Sequence, residues 1–180
     1  ILYITDQLND RLVVVNLTSL IIIRNIGLGT GSAVNQLDGP TGLSLIGASL
    51  YIVDTKNSRV QKWSINGTNP STVIGSIDYS FDIFIDKYKN LYISLLDNDT
   101  IIRYSGNSST FNIVAGTGGS PGTQAHHLSS PRGMFVDDNL TLYIADYNNH
   151  RIQMWKYGAR NGTTVAGNGI SGSSLSRLRT

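Results

Sequence analysis

Four stretches of this chain align with one another without gaps, and that internal repetition limits the fold more than any other feature. They are LYITDQLNDRLVVV from Leu2, LYIVDTKNSRVQKW from Leu50, LYISLLDNDTIIRY from Leu91 and LYIADYNNHRIQMW from Leu142. Their starting residues lie 48, 41 and 51 positions apart. A period of this length, made of short apolar runs between Gly, Asn and Ser turns, fits the four-stranded blade of a β-propeller. Leucine-rich and ankyrin units are shorter, and armadillo-like units carry helical periodicity. With 19 glycines and 14% charged residues, the composition also favours a turn-rich all-β chain over helices.

The repeats parse into strands. The fourth blade reads as 133–137, 142–146, 151–156 and 163–166, the second as 42–46, 50–54, 59–64 and 72–74. The third reads as 82–86, 91–95, 101–104 and 112–115; the first has 2–6, 11–15 and 21–24 but no innermost strand. Blades therefore span about 1–27, 40–76, 80–116 and 131–168, with 169–180 leading toward a further blade. The Leu-Tyr-Ile strand is apolar on both faces, as in a sheet sandwiched between neighbours, and the third strand is more amphipathic. Tyr3, Tyr51, Tyr92 and Tyr143 share one register and are expected in the core between blades.

Between the second and third strands runs Asp-x-x-Asn-x-Arg, as Asp6/Asn9/Arg11, Asp54/Asn57/Arg59 and Asp146/Asn149/Arg151. A four-residue loop makes the flanking Asp and Arg cross-strand neighbours, where opposite charges attract. Asn tolerates the left-handed backbone that a tight loop demands, so it is expected to take that position. In the third blade Leu95 and Thr100 replace the charged pair and only Asn98 remains, so that hairpin should lack the ion pair and be looser.

Pro40-x-Gly42 and Pro131-x-Gly133-Met-Phe-Val-Asp137, followed by Leu-Tyr-Ile-x-Asp-x-x-Asn-x-Arg, resemble the NHL repeat. Asn149-His150-Arg151 falls where that family often carries Asn-His-Arg. The resemblance implies an all-β propeller of NHL-type blades, about four of them present, in a ring that is usually six-bladed. By alignment of the tail Arg177-Leu178-Arg179-Thr180 with the approach to Pro131 (Leu128-Ser129-Ser130-Pro131), the next residue would begin another Pro-x-Gly unit, so the segment is expected to be part of a larger ring. An open arc with unpaired end blades is the expected form.

Function is expected in the loops of the top face, since loops on a rigid scaffold carry binding residues. The candidates are Gln124, His126, His127, Tyr147 and His150. The reading is a non-enzymatic binding module for a protein or peptide, with no cofactor and no metal. Two alternatives follow from the resemblance. One is the recognition propeller of a tripartite-motif-like ubiquitin ligase, binding protein or RNA. The other is a zinc enzyme like peptidyl-hydroxyglycine lyase, but adjacent histidines in a loop make poor joint ligands for one ion. Asp97-Asn98-Asp99 and Asp137-Asp138-Asn139 lack the spacing of a calcium loop and read as turns.

Fourteen Lys and Arg against 12 Asp and Glu are scattered along the chain, so nucleic acid is not an expected partner. The chain has no cysteine, which removes disulfides and cysteine-bearing zinc modules from it. No apolar run has the length of a membrane helix, so membrane insertion is not expected. Six sequons stand at Asn16, Asn66, Asn98, Asn107, Asn139 and Asn161, all at turns or strand ends. They favour a glycosylated, secreted protein, with a cytoplasmic setting as the alternative.

Overall fold

A computed structural model describes residues 1–106 and 108–172. The chain forms two compact units, Ile1–Tyr79 and Ser80–Thr180. The tail segment 177–180, on which the alignment to a further blade rests, lies outside the described residues.

The first unit holds two antiparallel sheets. One is the three-stranded meander of β1 (Leu2–Asp6), β2 (Arg11–Val15) and β3 (Ile22–Ile26). The other has four strands, β4 (Pro40–Ile46), β5 (Ser49–Asp54), β6 (Arg59–Ser64) and β7 (Ser71–Gly75). Between them lie Leu12, Val14, Ile26, Leu37, Leu50, Ile52 and Trp63. Burying a side chain of this size is worth roughly 1.5–3 kcal/mol, so the repeat's apolar runs hold the sheets together face to face. The indole N–H that enters this core is satisfied. The Trp63 indole N–H donates to the buried Gln61 Oε1 at 2.7 Å.

The second unit repeats the plan with two four-stranded meanders. The first is β8 (Ser80–Ile85), β9 (Leu91–Leu95), β10 (Thr100–Tyr104) and β11 (Phe111–Ala115). The second is β12 (Pro131–Val136), β13 (Leu142–Asp146), β14 (Arg151–Trp155) and β15 (Thr163–Gly167). Its core contains Tyr92, Ile101, Leu128, Leu142, Ile144 and Trp155.

The fold is all-β, and the sheets follow the blade pattern of the sequence. Three details differ. The strands opening the second, third and fourth blades begin at Pro40, Ser80 and Pro131, two residues earlier than the alternation suggests, each with a register shift, before Leu43, Ile83 and Met134. The third strand is amphipathic in the fourth blade, where β14 alternates buried and half-buried residues, but β6 and β10 are buried along most of their length, and exposure falls mainly on β3, β7, β11 and β15. Of the four aligned tyrosines only Tyr92 is fully buried. Tyr51 lies under Lys62, whose ammonium is 5.7 Å from the ring centroid, and Tyr143 stacks on Phe135.

Candidate functional site

At one end of each sheet the hairpins between second and third strands organise the neighbouring loops. In the fourth blade Asp146 and Arg151 are cross-strand partners, with Nε of Arg151 donating to Asp146 Oδ2 at 2.7 Å. Asn149 donates to the same oxygen at 2.9 Å. The Arg151 terminal nitrogens then reach back to the carbonyls of Thr123, Gln124 and His127, at 2.7, 3.2 and 3.1 Å. Asn149 adds the Gly122 carbonyl at 2.8 Å. Asp146 turns its other oxygen to the Ser129 amide at 2.7 Å. One carboxylate, one guanidinium and one amide thus fix a loop that precedes them by 17 to 28 residues.

The second blade builds the same network independently. Arg59 bonds Asp54 at 2.7 Å and the carbonyls of Ser32, Ala33 and Gln36, while Asn57 takes Gly31 and Asp54 takes the Asp38 amide. In both blades the Asp is fully buried and the Arg nearly so. The first blade keeps the Asp6–Arg11 pair at 2.9 Å, but there the Arg side chain is 37% exposed. In the third blade Leu95 and Thr100 face each other at the paired position, both buried.

The left-handed position corrects the expectation for Asn9, Asn57 and Asn149. None of the three occupies it. It belongs to the residue after the Asn, which is Asp10, Ser58 and His150 in these hairpins and Asp99 in the third blade, with φ between 47 and 53°. Each motif Asn instead ends a short 3₁₀ turn and turns its side chain back onto the Asp. Asn57 and Asn149 each bond a loop carbonyl as well, which fixes their backbone in the turn. Asn9 departs from them in a second way. It is exposed and donates to Asp6 Oδ1 at 2.8 Å, and among the described residues it bonds no loop carbonyl. Among the described residues its motif is a local turn. Asp10 and Asp99 use the left-handed position to reach forward, each accepting the amide before the next sheet's first strand, Gly39 at 2.7 Å and Ser130 at 2.8 Å.

The loop 122–130 carries three of the candidate binding residues. Gln124 is exposed, and the His126 and His127 rings lie 4.2 Å apart. His127 Nδ1 is enclosed without a hydrogen-bond partner. His150 sits across the hairpin in its left-handed position. Among the described residues no group of three or more His, Asp or Glu is placed to hold a metal ion. Asp137 serves its own turn, accepting the amides of Asn139 and Thr141 at 2.9 and 2.8 Å.

Tyr147 meets the chain just past that loop. The Arg132 guanidinium lies flat against it, 3.5 Å from the ring centroid, with the Phe81 ring 5.3 Å away. The Arg132 Nε is enclosed without an acceptor, and among the described residues Arg132 makes no ion pair. Sequence reasoning missed both Arg132 and Phe81. The available signal was positional. Arg132 is the middle residue of Pro-x-Gly and Tyr147 follows the motif Asp; the matching pair in the second blade, Thr41 and Thr55, is bonded hydroxyl to hydroxyl at 2.7 Å.

The sequons differ in accessibility. Asn66, Asn139 and Asn161 are exposed, and Asn16 and Asn98 are partly covered. The Asn16 side-chain oxygen is occupied by the amides of Thr18 and Ser19. Asn107 lies outside the described residues.

Sheets of this pattern, joined by these hairpins, define a β-propeller protein. Within that class the chain carries an NHL repeat, whose family model matches residues 128–155, from the end of the clamped loop through β14. Solved structures share the fold. An auxiliary nutrient binding protein from Bacteroides thetaiotaomicron is 19% identical with a TM-score of 0.71, covering 95% of this chain and 47% of that one. Virginiamycin B lyase from Staphylococcus aureus is 11% identical with a TM-score of 0.61, covering 90% and 50%. A gluconolactonase from Xanthomonas campestris is 14% identical with a TM-score of 0.58, covering 71% and 47%. The chain spans about half the length of these structures or less. No curated protein sequence matches it. These likenesses establish the fold and include both binding proteins and enzymes.

Proposed function

We propose that this chain is a non-enzymatic binding module, part of a larger propeller, which presents the hairpin end of its sheets to a protein or peptide. The observation that carries this reading is Arg132, a cation held between the Tyr147 and Phe81 rings without a carboxylate partner. Stacking holds the guanidinium in place and leaves its charge uncompensated, which suits an acidic side chain or chain terminus on a partner. The clamped loop beside it supports the same reading. Arg151 binds loop backbone, so side chains such as Gln124 are offered outward from a fixed frame at little ordering cost on binding. A secreted setting, with glycans on the exposed Asn66, Asn139 and Asn161, belongs to the same proposal.

Selection of displayed random peptides against the purified protein tests it. The reading expects enriched peptides to contain an acidic residue and to lose about tenfold or more in affinity with Arg132→Ala or Tyr147→Ala. Peptides indifferent to Arg132, Tyr147 and Gln124 substitutions would remove the proposal.

A further inference from the structure

The second unit contains a cavity of about 490 Å³, open to solvent on one side. Small-molecule sites typically enclose roughly 300–1,000 Å³, so the space is of a useful size. It lies between β11 and the turn that follows β14. That turn is at the opposite end of its hairpin from Asp146 and Arg151, since β13 and β14 pair from Leu142↔Trp155 at one end to Asp146↔Arg151 at the other. Its turn-side wall therefore lies at the far end of the sheet from the Asp146–Arg151 clamp, and its lining runs along β11 as far as Gly116.

Its walls are of two kinds. Tyr157 supplies exposed aromatic surface and Ile113 exposed aliphatic surface, with Tyr92 and Trp155 buried behind them. Trp155 is fixed in place: it is 2% exposed, and a Cβ on Gly162 would come within 2.3 Å of its ring, so the chain crosses the indole at contact distance. Arg103, Lys156 and Arg160 supply positive charge, and among the described residues no Asp or Glu lines the space. Arg103 lies 5.3 Å from the centroid of the Tyr157 ring, with its Nε enclosed and without an acceptor. Lys156 and Arg160 are exposed on the turn and make no ion pair among the described residues. The carboxylate behind the wall, Asp86, is engaged by the amides of Tyr88 and Asn90, the Asn90 side chain and the Tyr92 hydroxyl.

Three cations around one concavity are not a consequence of a basic protein, because the whole chain carries a net charge of only +2. Arg103 is half-buried on the cavity wall, and a bound anion there is attracted by all three cations. The Tyr157 ring selects what carries that anion, since flat apolar groups pack against ring faces. We infer that this cavity binds a small organic anion with a planar apolar body, an aromatic carboxylate in the simplest case. The ring lies against Tyr157 and Ile113, and the carboxylate meets Arg103, Lys156 and Arg160.

The probe is naphthalene-2-carboxylate, titrated into the ¹⁵N-labelled chain with backbone amide and arginine Nε–H resonances recorded. Submillimolar, saturable shifts at residues 156–160 and at the Arg103 Nε–H are expected. The double variant Lys156→Ala/Arg160→Ala alters only exposed turn positions and should weaken binding by about tenfold. The neutral isostere naphthalene-2-carboxamide should bind as weakly to the unaltered chain as the carboxylate binds to that variant. Arg132→Ala should leave the titration unchanged, which separates this site from the hairpin face. Equal affinity for carboxamide and carboxylate, absence of saturable shifts, or shifts only around residues 122–150 would each overturn the inference. Inorganic sulfate producing the same shifts at the same affinity would overturn the organic part and leave a plain anion site.

Discussion

Arg151 and Asp146 form an ion pair at 2.7 Å whose second task is to hold the loop upstream, through guanidinium bonds to three of its carbonyls. This accounts for a difference among the repeats. The connections entering β4 and β12 run over residues 27–39 and 116–130, and each is gripped by an arginine of the blade it enters. The connection entering β8 is only residues 76–79, too short to need a grip, and there Thr100 stands in place of the arginine. The motif Arg follows the long loop.

Removing the clamp should therefore cost more than removing a surface ion pair. Arg151→Ala or Arg59→Ala leaves a fully buried aspartate without its cation, and breaking such a pair costs about 3–5 kcal/mol. Arg11→Ala acts on a pair that is 37% and 24% exposed. Exposed pairs contribute about 1 kcal/mol or less, so that variant should be close to the parent. Urea unfolding of the three variants, with amide exchange at residues 122–128, measures both effects. Equal losses at all three sites would contradict the clamp.

The pairing of Asp54 with Arg59 was legible because opposite charges across a short hairpin have few other arrangements. The clamp was not, because its acceptors are backbone carbonyls, and carbonyls leave no mark on a sequence. Propensity points to Asn for the left-handed position, yet Asn57 and Asn149 are needed for their side-chain bonds, and the strain falls on Ser58 and His150 instead. The same letters also hide unlike roles: Asn9 matches Asn57 and Asn149 in the motif but lies exposed, bonded only to Asp6 among the described residues. Arg132 was hidden for a different reason. It occupies the x of Pro-x-Gly, which Thr41 fills in another blade, and its meaning depends on Tyr147 fifteen residues later.

Glycines at the sheet ends should separate sharply by what surrounds them. A Cβ on Gly116 would lie 2.2 Å from the Asp99 carbonyl oxygen, and one on Gly167 would lie 2.3 Å from that of His150. Both have positive φ, so Gly116→Ala and Gly167→Ala combine backbone strain with a clash against backbone that cannot retreat. Gly47 has φ +56° and open space around it, so Gly47→Ala carries strain alone, about 1–2 kcal/mol. Thermal melts should rank Gly47→Ala well above the other two. A parent-like Gly116→Ala would show that the strand end can move aside.

Asp82 gives a pH-dependent signature. Burial pushes its carboxyl above the ordinary 3.8, against the opposing pull of the Met134 and Ile83 amides. The folded state thus holds the proton more tightly than the unfolded chain. The resulting stability is full below 3.8 and is lost as pH rises through the folded-state value. Asp82→Asn has no proton to release, so the stability of the parent relative to this variant should fall across that window and then level off. Denaturation at matched pH measures the difference, and a carboxyl carbon titration of Asp82 with its midpoint at or below 3.8 would refute it.

Self-association should follow from the first sheet. Among the described residues β1 pairs only with β2, so its other edge presents unpaired backbone groups. On the same strand Leu2 and Ile4 are 44% and 41% exposed, and Ile21, Ile22 and Ile23 are 64%, 57% and 43% exposed at and before β3. An open strand edge beside apolar side chains is a template for pairing with another copy, and a lysine on the edge is the usual protection. Sedimentation velocity over a range of concentrations should show the chain shifting from monomer to larger species. Ile4→Lys together with Ile22→Lys places charge on both exposed rows without touching the core residues Leu12 and Val14, and should hold the chain monomeric. A parent chain that stays a single sharp monomer at the highest concentration would show that this edge and these rows are protected in solution.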